Sequence, residues 1–336
     1  MGMASFAVAL MVTMVIMSHC LYGKEFYGGQ EIKLQRLLKQ LNKPALKSIK
    51  SEDGDIIDCV PITSQPAFDH PLLKNHTIQM RPSFIPESDF TYTKKNATAI
   101  TQVWQKNGEC LDNTIPIRRV KKEDILRAKS IQSFGKKTLP NILQVTSADQ
   151  FRHEYAYTGV RGGKFFGTKA SINIWKPYVA TPNEFSLAQT WLVSGVGLSR
   201  NTIEAGWQVY PQIYGDNNPR LFVYWTSDGY QKTGCYNLLC AGFIQTNKQY
   251  SVGGVYANVS QYNGIQLELN LLIWKDQKTG NWWLRINDDV FMGYWPGSLF
   301  NSLGDGATDV QWGGNSGTTF GSHFYYGGPG QNVKCP

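Results

Sequence analysis

TIEAGWQVYPQIYGDNNPRLFVYWTSDGY, residues 202–230, reads as two strands joined by a turn. In TIEAGWQVY, Ile203, Ala205, Trp207 and Val209 alternate with Glu204, Gly206, Gln208 and Tyr210, the pattern of a strand with one apolar and one more polar face. RLFVYWT (220–226) is aromatic and β-branched, and GDNNP between them carries turn residues. Working outward, runs of the same kind recur: ASINIW (170–175), FSLAQTWLVSG (185–195), LCAGFIQ (239–245), LELNLLIW (267–274), NWWLRIN (281–287) and VFMGYWP (290–296), separated by turns such as DQKTGN and NDD. So many strands without a convincing helix predict an all-β fold, an antiparallel β-sandwich.

The half before residue 143 is written differently. Nine of the ten tryptophans and 26 of the 33 glycines follow residue 142. Before it, Ile32, Leu34, Leu37, Leu38 and Leu41 stand at near-helical spacing ended by Pro44, which predicts one short amphipathic helix. The rest is turn-rich and basic, with short apolar pieces (IIDCV, TAITQVW) that predict a few strands with little core of their own. Such a segment folds best against something else. Residues 24–142 hold 20 Lys and Arg against 13 Asp and Glu, and residues 143–336 hold 13 against 12. The net charge of +8 therefore belongs to the N-terminal half. A cationic segment binding a less basic partner in a pH-sensitive way fits this better than nucleic-acid binding, for which no motif appears.

Ala4 to Met17 is an apolar run of signal-peptide length, and residues 1–23 are expected to be a secretory signal, with a signal anchor as the alternative. No later segment approaches the length of a membrane span. Secretion makes the cysteines disulfide candidates. Cys235 and Cys240 would close a small loop, Cys59 would pair with Cys110, and Cys335 is left over. Asn75, Asn96 and Asn258 begin glycosylation sequons.

Glu204 on the more polar strand face is either a solvated surface carboxylate or the start of a site in an aromatic-lined cleft. Gly206 beside it would leave room for a ligand to lie across the sheet. Nucleophile elbows, zinc-binding helix motifs and phosphate loops are missing from the sequence. His153 reads as a surface or packing residue, whereas His70 and His76 in the basic half are candidates for titratable contacts. A carboxylate-based hydrolase and a binding protein both remain.

NKPALKSIKSEDGDIIDCVPITSQPAFDHPLLKNHTIQMRPS (42–83) and GECLDNTIPIRRVKKEDILRAKS (108–130) resemble the neprosin activation peptide. ASINIWKPYVATPNEFSLAQTWLVSG (170–195), IEAGWQVYPQIYGDNNPRLFVYWTSDGYQKTGCYNLLCAGFIQTN (203–247) and LLIWKDQKTGNWWL (271–284) resemble the neprosin catalytic domain of plants. The resemblance implies a secreted zymogen of the apoplast or vacuole, with a propeptide over residues 24–142 acting as intramolecular inhibitor. The domain over 143–336 would be a lectin-like, glutamic-peptidase-like sandwich. It further implies acid-active endopeptidase cleavage at proline by a pair of glutamates, without metal or organic cofactor.

Carried over by motif, Glu204 in IEAGW matches the first catalytic glutamate. The second is expected in a WGGE strand, and this chain reads VQWGGNSG (310–317), with Asn315 at that place. An amide cannot supply or hold a catalytic proton. Gln311 is no better, and a shifted alignment would recruit Asp309 or Asp305 instead. The tail after Asn315 also departs from the family's usual ending. Gln208, Tyr210, Trp225 and Trp312 are the expected groove residues, and the ligand is a polypeptide substrate or, without catalysis, a proline-rich or polysaccharide cell-wall component.

Overall fold

The computed structural model describes residues 29–86, 100–137, 152–287 and 289–318. The expected signal peptide, Asn96 and Cys335 lie outside them. A helix α1 (29–41) opens the described chain and ends before Pro44. A small antiparallel sheet follows, β1 (Lys47–Lys50), β2 (Ile56–Pro61) and β3 (Thr114–Arg118), then a short helix α2 (Lys122–Leu126). The Cys59–Cys110 disulfide, closed across 51 residues, ties β2 to the turn before β3, and Cys235–Cys240 closes the second, local loop.

The C-terminal part is a two-sheet antiparallel sandwich. Its strands are β4 (Arg152–Phe165), β5 (Gly167–Asn173), β6 (Phe185–Ser194), β7 (Asn201–Val209), β8 (Arg220–Thr226), β9 (Ile244–Gln245), β10 (Glu268–Lys275), β11 (Trp282–Ile286), β12 (Val290–Trp295) and β13 (Ala307–Thr318). One sheet runs β5-β10-β11-β12-β9, the other β4-β13-β6-β7-β8. A one-turn helix α3 (Pro211–Tyr214) links β7 to β8, started by Pro211 and stopped by Gly215 in the left-handed region at φ 82°. The alternation read from TIEAGWQVY holds: Ile203, Ala205, Trp207 and Val209 enter the core between the sheets, where they meet Leu271, Ile273, Trp282, Leu284 and Trp295. Glu204, Gly206 and Gln208 face away from that core.

The N-terminal segment grips both outer faces. Ala67, Phe68 and Ile78 cover Ile244, Leu272, Trp274, Trp283 and Tyr294 on the back of one sheet. On the other, residues 118–137 run as a strap over the face that carries Glu204, backed by Leu34 and Leu41 of α1 packed with Val120, Ile125 and Phe134. The strap is latched by charge. Asp55 accepts from Arg118 Nε at 2.8 Å and from the fully buried Arg220 Nη1 at 2.6 Å. Arg220 also holds Asp216 at 2.5 Å and the Gly253 carbonyl at 2.7 Å, and Arg118 reaches Asp124 at 2.9 Å. Among the described residues no helix is long and apolar enough to cross a membrane.

Candidate active site

Glu204 lies mid-strand in β7, opposite Trp191 of β6 and Tyr224 of β8. The carboxylate is completely buried. Its Oε1 accepts from Thr202 Oγ1 and Tyr230 OH, both at 3.0 Å, and its Oε2 accepts from Gln189 Nε2 at 3.1 Å. Gln189 is itself fully buried, in register between Gly206 on β7 and Gly313 on β13. A Cβ on Gly206 would come within 2.0 Å of the Ala188 carbonyl oxygen and 2.8 Å of the Gln189 Cβ. The glycine thus lets β6 approach closely and aim Gln189 at Glu204, instead of leaving space for a ligand.

The remaining direction at Oε2 is filled from the strap. Lys137 Nζ forms a short ion pair with Glu204 Oε2. The ammonium also lies over the rings of Tyr224, Tyr230 and Tyr236, at 4.6, 5.6 and 5.8 Å from their centroids. The strap is held in place beside it: the Tyr236 amide donates to the Gly135 carbonyl at 2.8 Å, Lys136 Nζ donates to the Lys232 carbonyl at 2.9 Å, and the Lys137 amide donates to Tyr224 OH at 3.4 Å. Burial pushes the Tyr224, Tyr230 and Tyr236 phenols up, and the Glu204 charge adds to this. All three stay neutral rings, the form that attracts an ammonium.

The loop carrying Tyr230 is built around Asp228. Its oxygens accept from the amides of Gln231, Lys232 and Thr233 and from the Thr226 and Thr233 hydroxyls. Those bonds outweigh burial and keep its carboxyl below the usual range. Asp228 is thereby committed to the loop.

Asn315 lies on the same sheet face as Glu204, on β13, and is nearly buried. Its register partners are Leu187 on β6 and Tyr155 on β4, two side-chain positions along from the row that holds Gln311, Trp191 and Glu204. Its side chain neighbours those of His153 and Tyr155. Burial, then the Lys137 charge, pull the His153 pKa down. Asp309 is engaged with Arg161 at 3.3 Å and Asp305 is exposed in a 3-10 turn.

The expected groove set divides. Gln208 shares the Glu204 face and donates to Tyr214 OH at 2.7 Å. Tyr210 packs against Phe185 and Tyr236, and burial pushes its phenol up to about 12. Trp225 and Trp312 fall on the opposite, core-facing side, in register with Ile203 and Thr190, and correct the sequence reading. Aromatic character points to a groove, and alternation decides otherwise. The aromatics that line the exposed part of this face are Tyr155 and Tyr157, with Trp191 edge-on to Tyr157 at 6.5 Å. Gln189 is not among the residues expected from sequence; a lone amide among Phe185, Leu187 and Trp191 is the signal that points to it. Lys137 carried no signal.

The two histidines of the N-terminal segment do contact the sandwich. His70 lies edge-on to Trp225 at 6.3 Å, and its Nδ1 accepts from the Leu72 amide at 3.2 Å. His76 Nε2 bonds Tyr294 OH at 2.9 Å, and that hydroxyl also accepts from the Gln79 amide. Burial lowers both pKa values from 6.5. The docked segment thus favours neutral imidazoles, and their contribution to docking is complete above pH 6.5 and lost as pH falls through that value and the lower docked ones. Asp276 works in a second window. It accepts from Gln79 Nε2 at 2.8 Å, from the Ser83 amide at 2.7 Å and from the Ser83 hydroxyl, and these bonds hold its pKa at about 2. That contribution is present above 3.8 and fades as pH drops toward 2. The hydrogen-exchange protection factors of residues 66–84, taken relative to the intrinsic rate at each pH, are expected to fall in two steps on acidification. A His70→Asn/His76→Gln double variant should lose the upper step alone; an unchanged profile would remove the histidines from the switch.

A fully buried carboxylate on the outer face of a β-sandwich, capped by a lysine from a preceding segment of the same chain, defines a β-sandwich protein covered by its own N-terminal segment. The neprosin activation-peptide family model matches residues 48–159 and the neprosin family model residues 182–320. The chain belongs to the neprosin family. The activation-peptide match runs into β4, an integral strand of the sandwich, while the boundary expected at residue 142 falls outside the described residues. Among solved structures, similar ones include CG-16, a homodimeric agglutinin from chicken liver, at 11% identity and TM-score 0.26, over 49% of this chain and 94% of that one. Another is scytalido-glutamic peptidase with a transition-state analogue inhibitor, at 11% identity and TM-score 0.29, over 49% and 66%.

Proposed function

We propose that this chain is the zymogen of a secreted, acid-activated peptidase in which Glu204 is the general base, with activity held low because Asn315 stands where a second acid is expected. The observation that carries this is Glu204 itself, buried, fixed by three neutral donors and closed by Lys137. A carboxylate so oriented is built to accept a proton from water once the strap has lifted. In this reading the water oxygen then bonds the peptide carbonyl carbon, the Gln189 amide beside Glu204 donates to the developing oxyanion, and Glu204 returns the proton to the leaving nitrogen. The two disulfides and the exposed Asn75 and Asn258 support the secretory route.

The test is hydrolysis of a proline-containing peptide by acid-treated protein. Glu204→Gln is expected to abolish cleavage, and Asn315→Glu to raise it by about 10²-fold or more, the usual worth of a positioned acid. Cleavage that survives Glu204→Gln would remove the carboxylate from the chemistry. A second reading, a non-catalytic module for proline-rich or polysaccharide cell-wall ligands, draws on the partners of Glu204 among the described residues, none of which is a carboxylate. It predicts no cleavage in any of the three proteins.

A further inference from the structure

The three tyrosines around Lys137 have a use that general-base chemistry does not require. A base needs one oriented carboxylate and water. Here the carboxylate instead forms the floor of a box whose walls are Tyr224, Tyr230 and Tyr236, and the occupant is an alkylammonium. Neutral phenol faces around a cation, closed by one negative charge, are what recognises an ammonium on an aliphatic stem.

The walls come from independent supports. Tyr224 is on β8, Tyr230 has a left-handed backbone (φ 67°) in the loop organised by Asp228, and Tyr236 adjoins the Cys235–Cys240 disulfide and bridges back to Tyr224. All three belong to the sandwich and not to the strap, so the box is a property of the mature domain.

We propose that this box is a receptor for a primary alkylammonium, so that the lysine side chain of a polypeptide ligand takes the place that Lys137 now holds. The hydrogen bonds select the ammonium over a guanidinium. Oε1 of Glu204 already accepts from Thr202 and Tyr230, and Oε2 from Gln189, which leaves a single acceptor direction. A guanidinium fork needs two parallel acceptors to gain over an ammonium, whereas an ammonium is satisfied as a point charge. The inference does not rest on Glu204 being catalytic. It uses the zymogen reading only for the step that vacates the box, and a substitution can replace that step.

The experiment is chemical rescue in the full chain. In Lys137→Ala the alanine keeps Cβ, and n-propylammonium supplies the missing three carbons and nitrogen. Propylammonium chloride is expected to raise the Tm of this variant saturably, by several degrees, with 1-propanol and potassium chloride as controls that do not. N-propylguanidinium, which carries the fork on the same stem, should be markedly weaker. The response should vanish in Lys137→Ala/Glu204→Gln and in the unsubstituted chain, whose box is full. If Lys137→Ala accumulates no folded protein, refolding yield with the same additives is the readout, and a severalfold gain with the ammonium alone is expected. No effect of the ammonium, or an equal effect of propanol or of N-propylguanidinium, overturns the assignment. Peptide hydrolysis is not measured, so this result and that of the cleavage test can fail separately.

Discussion

Arg220→Met is expected to be among the most destabilising single substitutions in the protein, costing about 3–5 kcal/mol, because it takes one of two cations from the buried Asp55 and the cation from the partly exposed Asp216. Arg220 is fully buried on β8 and serves three acceptors at once, Asp55 from the activation segment, Asp216 after α3, and the Gly253 carbonyl. Its guanidinium also lies over the Tyr214 ring at 4.7 Å. These groups raise the Arg220 pKa further against the pull of burial, and the same pairing holds Asp55 low. Methionine fills much of the volume and carries none of the donors. Asp55 would be left with Arg118 alone, and the Gly253 carbonyl with nothing. Adding Asp55→Asn should recover part of the loss, since the stranded charge goes with it. Urea unfolding of the single and double variants gives the coupling directly. A loss under about 1 kcal/mol for Arg220→Met would mean that water reaches this network and that it behaves like a surface pair.

The second large effect is expected at Lys137. Lys137→Met keeps the length of the stem and deletes the charge, so Glu204 stays buried with three neutral donors and no cation. The expected cost is again about 3–5 kcal/mol, the range for breaking a buried pair from one side. Glu204→Gln on its own should also destabilise, because it strands the ammonium. The Lys137→Met/Glu204→Gln double variant should be far better than the sum. Unfolding midpoints of the four proteins measure that coupling, and additivity within about 0.5 kcal/mol would show that the two groups do not stabilise each other in solution. The same variants should expose the strap to added protease faster than the parent chain does, since the cation that seats it is lost.

What was legible from sequence divides along the range of the interactions. Period-two alternation in TIEAGWQVY and RLFVYWT set the sandwich, and the same rule put Glu204 on the outer face. Pairings bounded by few chemical choices, such as Cys59 with Cys110, also came through. The aromatic groove was half right. Composition points to Trp225 and Trp312, but their registers with Ile203 and Thr190 turn them inward, while Tyr155 and Tyr157 lie on an edge strand that the turn signals do not delimit. Lys137 was illegible for a stricter reason. It is one of many lysines in a basic segment, and nothing in the order of residues says which of them will reach a carboxylate 67 positions later in the chain. The contact of His76 with Tyr294 is longer still, at 218 positions.

The activation segment holds the sandwich with two hands, Ala67 to Ser83 on one sheet and Arg118 to Lys137 on the other, and the Cys59–Cys110 disulfide is the wrist that joins them. A proteolytic nick anywhere between residues 60 and 109 leaves both hands on one covalent piece, so a hand that lets go remains at high effective concentration and regrips. Acid loosens one hand through its imidazoles, but departure requires both to open together. In a chain cut both there and after residue 137, a reducing agent should convert that concerted exit into two independent ones, so that the activation segment leaves under conditions where the oxidised form holds on.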